Sequence, residues 1–356
     1  MENPLDCLVI GAGQAGLAAG YHIQKRGWNY VILEASHQPA GSWPSYYDSL
    51  TLFSPARFSS LPGYRFPGEP DRYPTRDEVI SYLTNYAEHF NFNVVTNENV
   101  QKVIKDNGLF KVETASGKVF AAKTVISATG AFAHPFIPEM EGFQRYKGRI
   151  LHSSQYRNTE EFEGKRMVVV GGGNSAVQIA YELTAVAQVT LATRRPLSFM
   201  PQTFLGKDLH FWLTVSGIDK ASFAKHLGTS VSVLDTGIYQ EAISNQKPDH
   251  RNLFSSFTED GVNWGEEVEK VDAVIFATGF RPNLSYLHSL PQALGKDGFP
   301  QHIKGMSTSI NGLGYVGLSG QRSLSSATIR GGGRDANYVI KRLAKEKESQ
   351  KTLQLV

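Results

Sequence analysis

At 356 residues the chain is too long for one small domain and points to two, or to one large domain carrying an insertion. A formal net charge of +3, with no basic run longer than a pair ahead of the C-terminal KRLAKEKESQK segment, argues against nucleic acid as a partner. The lone cysteine, Cys7, excludes an intramolecular disulfide, a CxxC redox pair and a zinc finger, and ten scattered histidines show no metal-ligand spacing.

A reduced, cytoplasmic setting fits this cysteine usage. No stretch approaches the roughly 18 uninterrupted apolar residues of a membrane span. The apolar N-terminus is not expected to be a signal peptide, because it lacks a basic leader and is broken by glycines.

The first legible element is Cys7–Ile10, too short and too β-branched for a helix and therefore a buried strand. It runs into Gly11, Gly13 and Gly16, a GxGxxG turn opening a helical pattern. In such a turn the first glycine permits the tight bend and the second lets a pyrophosphate approach the backbone. The third lets the helix sit close on the strand, with its N-terminal amides facing the phosphates. A second apolar run ends at Glu34, 23 positions after Gly11, where an acid is placed to bind a ribose hydroxyl. Together these features predict a dinucleotide site.

Gly41-Ser42-Trp43 follows in a loop, then a stretch carrying Pro55, Pro62, Pro67, Pro70 and Pro74 that cannot be a central strand or long helix. Thr75 is placed to cap a helix over 76–89. Strand-like runs come next at 93–95, 101–104, 109–113, 118–121 and 124–127, the last ending in Ala128-Thr129-Gly130.

From Met167 the plan of the N-terminus repeats: strand, a GxGxxA turn at Gly171, Gly173 and Ala176, helix, strand. Arg194 stands 23 positions after Gly171, where Glu34 stands in the first unit. An acid there repels a ribose 2′-phosphate, whereas Arg194 and Arg195 neutralise and bind it. The first site should therefore prefer FAD or NAD, and the second NADPH. Beyond Pro196 helices are expected near 208–215 and 220–227, with a polar stretch near 245–252. A strand is expected at 271–277, ending in Thr278-Gly279, and another at 313–318. Ser325 or Ser326 should cap a final helix.

The chain resembles the class B flavin-dependent monooxygenases, specifically the small bacterial flavin-containing monooxygenase-like proteins, over nearly its whole length. Between the two glycine clusters, Tyr146–Tyr156 (YKGRILHSSQY) is similar to the family pattern F-x-G-x-x-x-H-x-x-x-[FY], matched at Gly148, His152 and Tyr156. It departs at Tyr146, where the pattern has phenylalanine. GSW at 41–43, ATG at 128–130 and FATGFRPN at 276–283 match as well.

The resemblance implies an α/β fold of two dinucleotide-binding, Rossmann-like domains, with an NADPH domain (164–272) inserted into an FAD domain (1–163 and 273–356). It implies that NADPH, with NADH a weaker donor, reduces the flavin, and that reduced flavin captures dioxygen as a flavin hydroperoxide. One oxygen atom would then pass to a small thioether or amine, or to a ketone by Baeyer–Villiger oxidation. FAD contacts are expected from Gly11, Gly13, Gln14, Gly16, Glu34, Gly41, Trp43, Val100, Ala128, Thr129, Gly320 and Gln321. NADPH contacts are expected from Gly171, Gly173, Asn174, Ser175, Arg194 and Arg195. Substrate contacts are expected from 55–74 and 199–212, and a homodimer is the family's common state.

Two further residues carry expectations. His152 is expected to serve a domain-linking hydrogen bond rather than general-base catalysis. The segment Leu52–Arg57 lacks the asparagine that larger family members use to protect the oxygenated flavin, leaving Ser54 as the nearest polar group. Peroxide leakage is the implied weakness, and an NADPH oxidase or flavin reductase is the rival reading. A thioredoxin reductase-type enzyme would need the CxxC this chain lacks, and a non-catalytic redox sensor would hold FAD without turning over NADPH.

Overall fold

The computed structural model describes residues 3–130, 132, 134–221 and 232–354. Two parallel sheets organise them. In the first, five parallel strands lie in the spatial order Leu313–Tyr315, Val125–Ser127, Cys7–Ile10, Tyr30–Leu33 and Val94–Val95. Two short antiparallel strands, His302–Ile303 and Met306–Ser307, extend the edge. Cys7–Ile10 and Tyr30–Leu33 are buried along their whole length, as expected of strands covered on both faces.

The second sheet holds Asp249–Asn252, Gln188–Thr193, Arg166–Val170, Ala273–Phe276 and Arg149–His152, all parallel. Arg149–His152 and Ala273–Phe276 lie outside residues 164–272, and Asp249–Asn252 falls in the stretch expected to be polar. Ala273–Phe276 pairs with Arg149–His152 on one side and with Arg166–Val170 on the other, so this sheet draws strands from beyond that interval on both sides. The chain crosses between the two sheets near 134–136 and 279–281. There His134–Pro135 and Phe280–Arg281 form a short antiparallel ribbon.

Both glycine turns are built alike. A Cβ on Gly11 (φ +100°) would lie 2.8 Å from the Ala128 carbonyl oxygen, and one on Gly171 (φ +145°) would lie 2.4 Å from that of Ala277. A Cβ on Gly16 would sit 1.8 Å from the Gly11 carbonyl oxygen. These clearances admit only hydrogen, which lets helices Gln14–Gln24 and Asn174–Leu183 press onto their strands.

Helix Arg76–His89 begins in a full capping box between Thr75 and Glu78. The proline-rich stretch before it folds back over that helix: Tyr82 donates to the Tyr64 carbonyl and Tyr86 to the Pro62 carbonyl, each at 2.7 Å. Helix Leu209–Val215 is capped by Asp208, whereas the helix expected over 220–227 lies outside the described residues beyond Ala221.

The final helix, Ile329–Gln354, starts later than a Ser325 or Ser326 cap would place it. Thr328 Oγ1 takes the Gly331 amide instead, at 3.3 Å, while Ser325 binds the Asp219 carbonyl. Buried Asp219 also pairs with Arg330 and Arg334 at 3.2 Å, tying the segment after Leu209–Val215 to this helix.

The C-terminal helix is also tied back to the start of the chain. Lys347 and Lys123 both bind Asp6, and the Asn29 amide binds its other oxygen. Burial alone would raise the Asp6 carboxyl, but the bonds from Lys347, Lys123 and Asn29 outweigh it and hold it at about 2. A carboxyl depressed on folding stabilises the fold above its ordinary value near 3.8 and loses that contribution as pH falls towards about 2. Asp6→Asn should therefore lower the melting temperature at neutral pH, and the gap from the parent protein should narrow between about pH 4 and 2 in thermal scans.

Candidate functional site

A cavity of about 820 Å³ opens at the carboxyl ends of the first sheet's strands. It sits where the order reverses between Cys7–Ile10 and Val125–Ser127, the position at which doubly wound sheets take ligands. Gly11, Gly13, Gln14, Glu34, Gly41, Trp43, Val100, Ala128 and Thr129 line it, together with Asn174 and Ser175 at the head of the second nucleotide helix. One space thus runs from the first glycine turn to the second unit.

The first turn offers a cradle. Gly13 has no side chain where the loop crosses it, and a Cβ there would meet the Cα of Gly41 at 3.6 Å. Gly41 itself is held at φ +57°, where a Cβ would lie 2.8 Å from Gly13. The Gln14 carboxamide is engaged at both ends, accepting from Trp43 Nε1 at 2.8 Å and donating to the Ala327 carbonyl at 2.9 Å. It fixes the rim, leaving backbone amides to face a phosphate.

Buried Glu34 accepts from the Ala12 amide through Oε2 at 2.6 Å. Its Oε1 accepts from the Ser36 amide and hydroxyl, both at 2.9 Å. A carboxylate has about four acceptor positions, so one on Oε2 is left for a hydroxyl donor such as a ribose. The cradle and this acceptor fit an adenine dinucleotide.

Other expected residues stand elsewhere. Gly16 supports the turn from behind, and Gly320 and Gln321 do not line the cavity. The Gln321 amide folds back to donate to the Tyr315 carbonyl at 2.8 Å, and that wall comes from Gly317 and Ala327–Ile329 instead. Gly171, Gly173, Arg194 and Arg195 do not line this cavity, which reaches the second turn only at Asn174 and Ser175. Arg194 and Arg195 are exposed, with no ion pair among the described residues. Neither 55–74 nor 199–212 contributes to the lining: the first covers a helix, and the wall is drawn from Leu50–Ser54 and the rings of Tyr46, Phe132 and Phe280.

His152 is buried at the end of its strand. Its Nε2 lies 2.9 Å from the Gly279 carbonyl, while the Ser154 amide donates to Nδ1 at 3.1 Å. This pattern requires the proton on Nε2 and leaves Nδ1 occupied as an acceptor. Burial lowers its pKa, partly offset by the bond to Gly279. Gly279 also accepts from the Phe136 amide at 3.0 Å, so the imidazole is bonded to the ribbon joining the two sheets. Ser54 is buried on the cavity wall, but its hydroxyl sits 2.9 Å from that of Ser59.

Several contributors have no family motif to announce them. Tyr47 and Gln178 line the cavity and bond to each other across the two units. Arg157, one residue past the matched segment, donates to the Pro44 and Tyr46 carbonyls, both at 2.8 Å. Tyr286 places its hydroxyl 2.7 Å from Ser127. Each follows a legible motif within a few residues: Tyr47 follows GSW, Arg157 the histidine segment, Gln178 the second glycine turn and Tyr286 the FATGFRPN run.

Among the described residues no group of acids, histidines or cysteine is arranged to hold a metal, and no helix is long and apolar enough to cross a membrane. Residues 8–317 match the family model described as pyridine nucleotide-disulphide oxidoreductase. An uncharacterised CzcO-like oxidoreductase of Geobacillus kaustophilus is 35% identical over 96% of this chain and 98% of its own. Indole-3-pyruvate monooxygenase YUCCA4 of Oryza sativa is 32% identical, over 94% and 86%. The flavin-containing monooxygenase of Stenotrophomonas maltophilia superposes with a TM-score of 0.85 at 30% identity, covering 96% of this chain and 99% of that one. The chain belongs to the pyridine nucleotide-disulphide oxidoreductase family and, within it, is an FAD-dependent monooxygenase of the flavin-containing monooxygenase type.

Proposed function

We propose that this enzyme uses NADPH and dioxygen to oxygenate small soft nucleophiles, thioethers first and amines second, with ketones as a further class. The observation that carries this reading is the single cavity shared by the first glycine turn and the head of the second nucleotide helix. FAD would be held by the amides of the Gly11–Gly16 turn, by Glu34 at its ribose, and by Gly41, Trp43, Val100, Ala128 and Thr129 along its length. Bound there, the flavin supplies hydride acceptance from NADPH and activation of dioxygen. NADPH would be held by Gly171, Gly173, Asn174 and Ser175, with Arg194 and Arg195 at the 2′-phosphate. We take the inserted unit to be the NADPH domain and the remainder the FAD domain.

The site's own residues select the substrate class by what they do not offer. His152 is held neutral with both ring nitrogens bonded, so it has no free lone pair to deprotonate a substrate. Glu34 is tied to three donors. A thioether sulfur or neutral amine brings its own lone pair and needs no base. The rings of Tyr46, Phe132 and Phe280 offer such a molecule an apolar wall that displaces water.

One observation favours peroxide release as a side path. In Leu52–Arg57 the Ser54 hydroxyl is already bonded to Ser59, leaving the oxygen-reacting region short of a polar guard.

Two experiments test this reading. Arg194→Ala with Arg195→Ala should raise the KM for NADPH on the order of tenfold or more, because charge-assisted bonds to the 2′-phosphate are lost, while the KM for NADH changes little. Equal effects on both coenzymes would remove the assignment. In stopped-flow mixing of NADPH-reduced enzyme with oxygenated buffer, a near-ultraviolet transient should precede the return of oxidised flavin, with measurable peroxide per NADPH when substrate is absent. Oxidised flavin and peroxide rising together, with no transient, would make the protein an oxidase.

A further inference from the structure

One short segment touches both nucleotide helices. At its start the Trp43 indole donates to Gln14, the first residue of helix Gln14–Gln24. Four residues on, the Tyr47 hydroxyl donates to Gln178 Oε1 in helix Asn174–Leu183, and Ser49 donates to Glu182 at 2.8 Å, one turn further along. Gln178 stands one turn after Asn174, on the same helix face, so whatever orders that helix's first turn also orders Gln178.

The segment between these ends is pinned as well. Arg157, from the second unit, donates to the Pro44 and Tyr46 carbonyls. Arg76, from the first, donates to the Tyr46 carbonyl at 2.8 Å. Asp48 bonds to Arg76 and to Asn158, and its amide donates to the Arg157 carbonyl at 2.8 Å. Of the two bonds reaching the second helix, Ser49–Glu182 is solvent-exposed and contributes little. Tyr47 is buried, with its ring beside that of Tyr156, so its bond to Gln178 is better shielded from solvent and counts for more.

We propose that Tyr47 is a positioning residue that couples the two nucleotide sites, so that NADP(H) at the second turn strengthens the hold on FAD at the first through the segment Trp43–Ser49. This rests on the assignment of FAD and NADPH to the two turns made above. A ligand that orders the first turn of Asn174–Leu183 fixes Gln178, then Tyr47, and through the pinned backbone fixes Trp43 and Gln14 at the rim of the FAD cradle. The second ligand to bind then has less to order, and the effect is reciprocal.

The test is binding, not turnover. FAD is titrated into flavin-stripped protein, following flavin fluorescence, with and without saturating NADP⁺. In the parent protein NADP⁺ should lower the Kd for FAD on the order of tenfold, and in Tyr47→Phe that factor should fall to about one, whatever the Kd in the absence of NADP⁺. Gln178→Leu removes the same bond from the other side. It should give the same result, and it carries the test if Tyr47→Phe does not fold. Parent coupling that persists in both variants overturns the proposal and leaves the functional reading intact, as does a parent protein that binds both nucleotides independently. A parent protein that takes up no FAD or no NADP⁺ fails the functional reading, and the coupling with it.

Discussion

The architecture depends on a contact in which there is no room for a carbon atom. In each unit the chain leaves a buried strand through a glycine whose missing side chain would collide with the carbonyl of an alanine ending the neighbouring strand: Gly11 against Ala128, Gly171 against Ala277. That clearance brings two strand ends together and turns the following helix so that its amides face outwards over them. It also explains why Ala-Thr-Gly recurs at 128–130 and 277–279. Each copy supplies the crossing backbone on which a glycine turn rests.

Around those turns the protein's own contribution is mainly restraint. The groups that look reactive in the sequence are already bonded: His152 to Gly279 and Ser154, Ser54 to Ser59, Glu34 to Ala12 and Ser36. Such an arrangement suits an enzyme whose cofactor carries the chemistry and whose side chains orient it and keep water out. The inserted unit is held by several independent ties, including Asp219 with Arg330 and Arg334, and Tyr47 with Gln178.

What the sequence made legible was local. Two glycine turns, the Thr75 capping box and the buried β-branched runs announce themselves within a few residues, and they lie where the pattern places them. What it hid depends on partners distant in the chain. Asp249–Asn252 has no apolar run because it is the edge strand of the second sheet, paired on one side only, and its pattern is polar throughout. Arg149–His152 reads as part of the first unit until its pairing with Ala273–Phe276 is seen. Gln321 looks like a cavity residue by its place before the last helix, yet the Tyr315 carbonyl draws its amide away. The proline-rich stretch resembles a functional loop, but its carbonyls are taken by Tyr82 and Tyr86.

The ribbon of His134–Pro135 and Phe280–Arg281 carries the chain both into and out of the second sheet. The chain enters and leaves the second unit side by side, cross-linked by Phe136–Gly279 and Thr278–Phe136 bonds and by the Arg281 guanidinium 4.2 Å over the Phe136 ring. Because the entering and leaving strands are cross-linked, a disturbance of either is passed to the other beside His152, whose imidazole bonds to the same Gly279 carbonyl as the Phe136 amide.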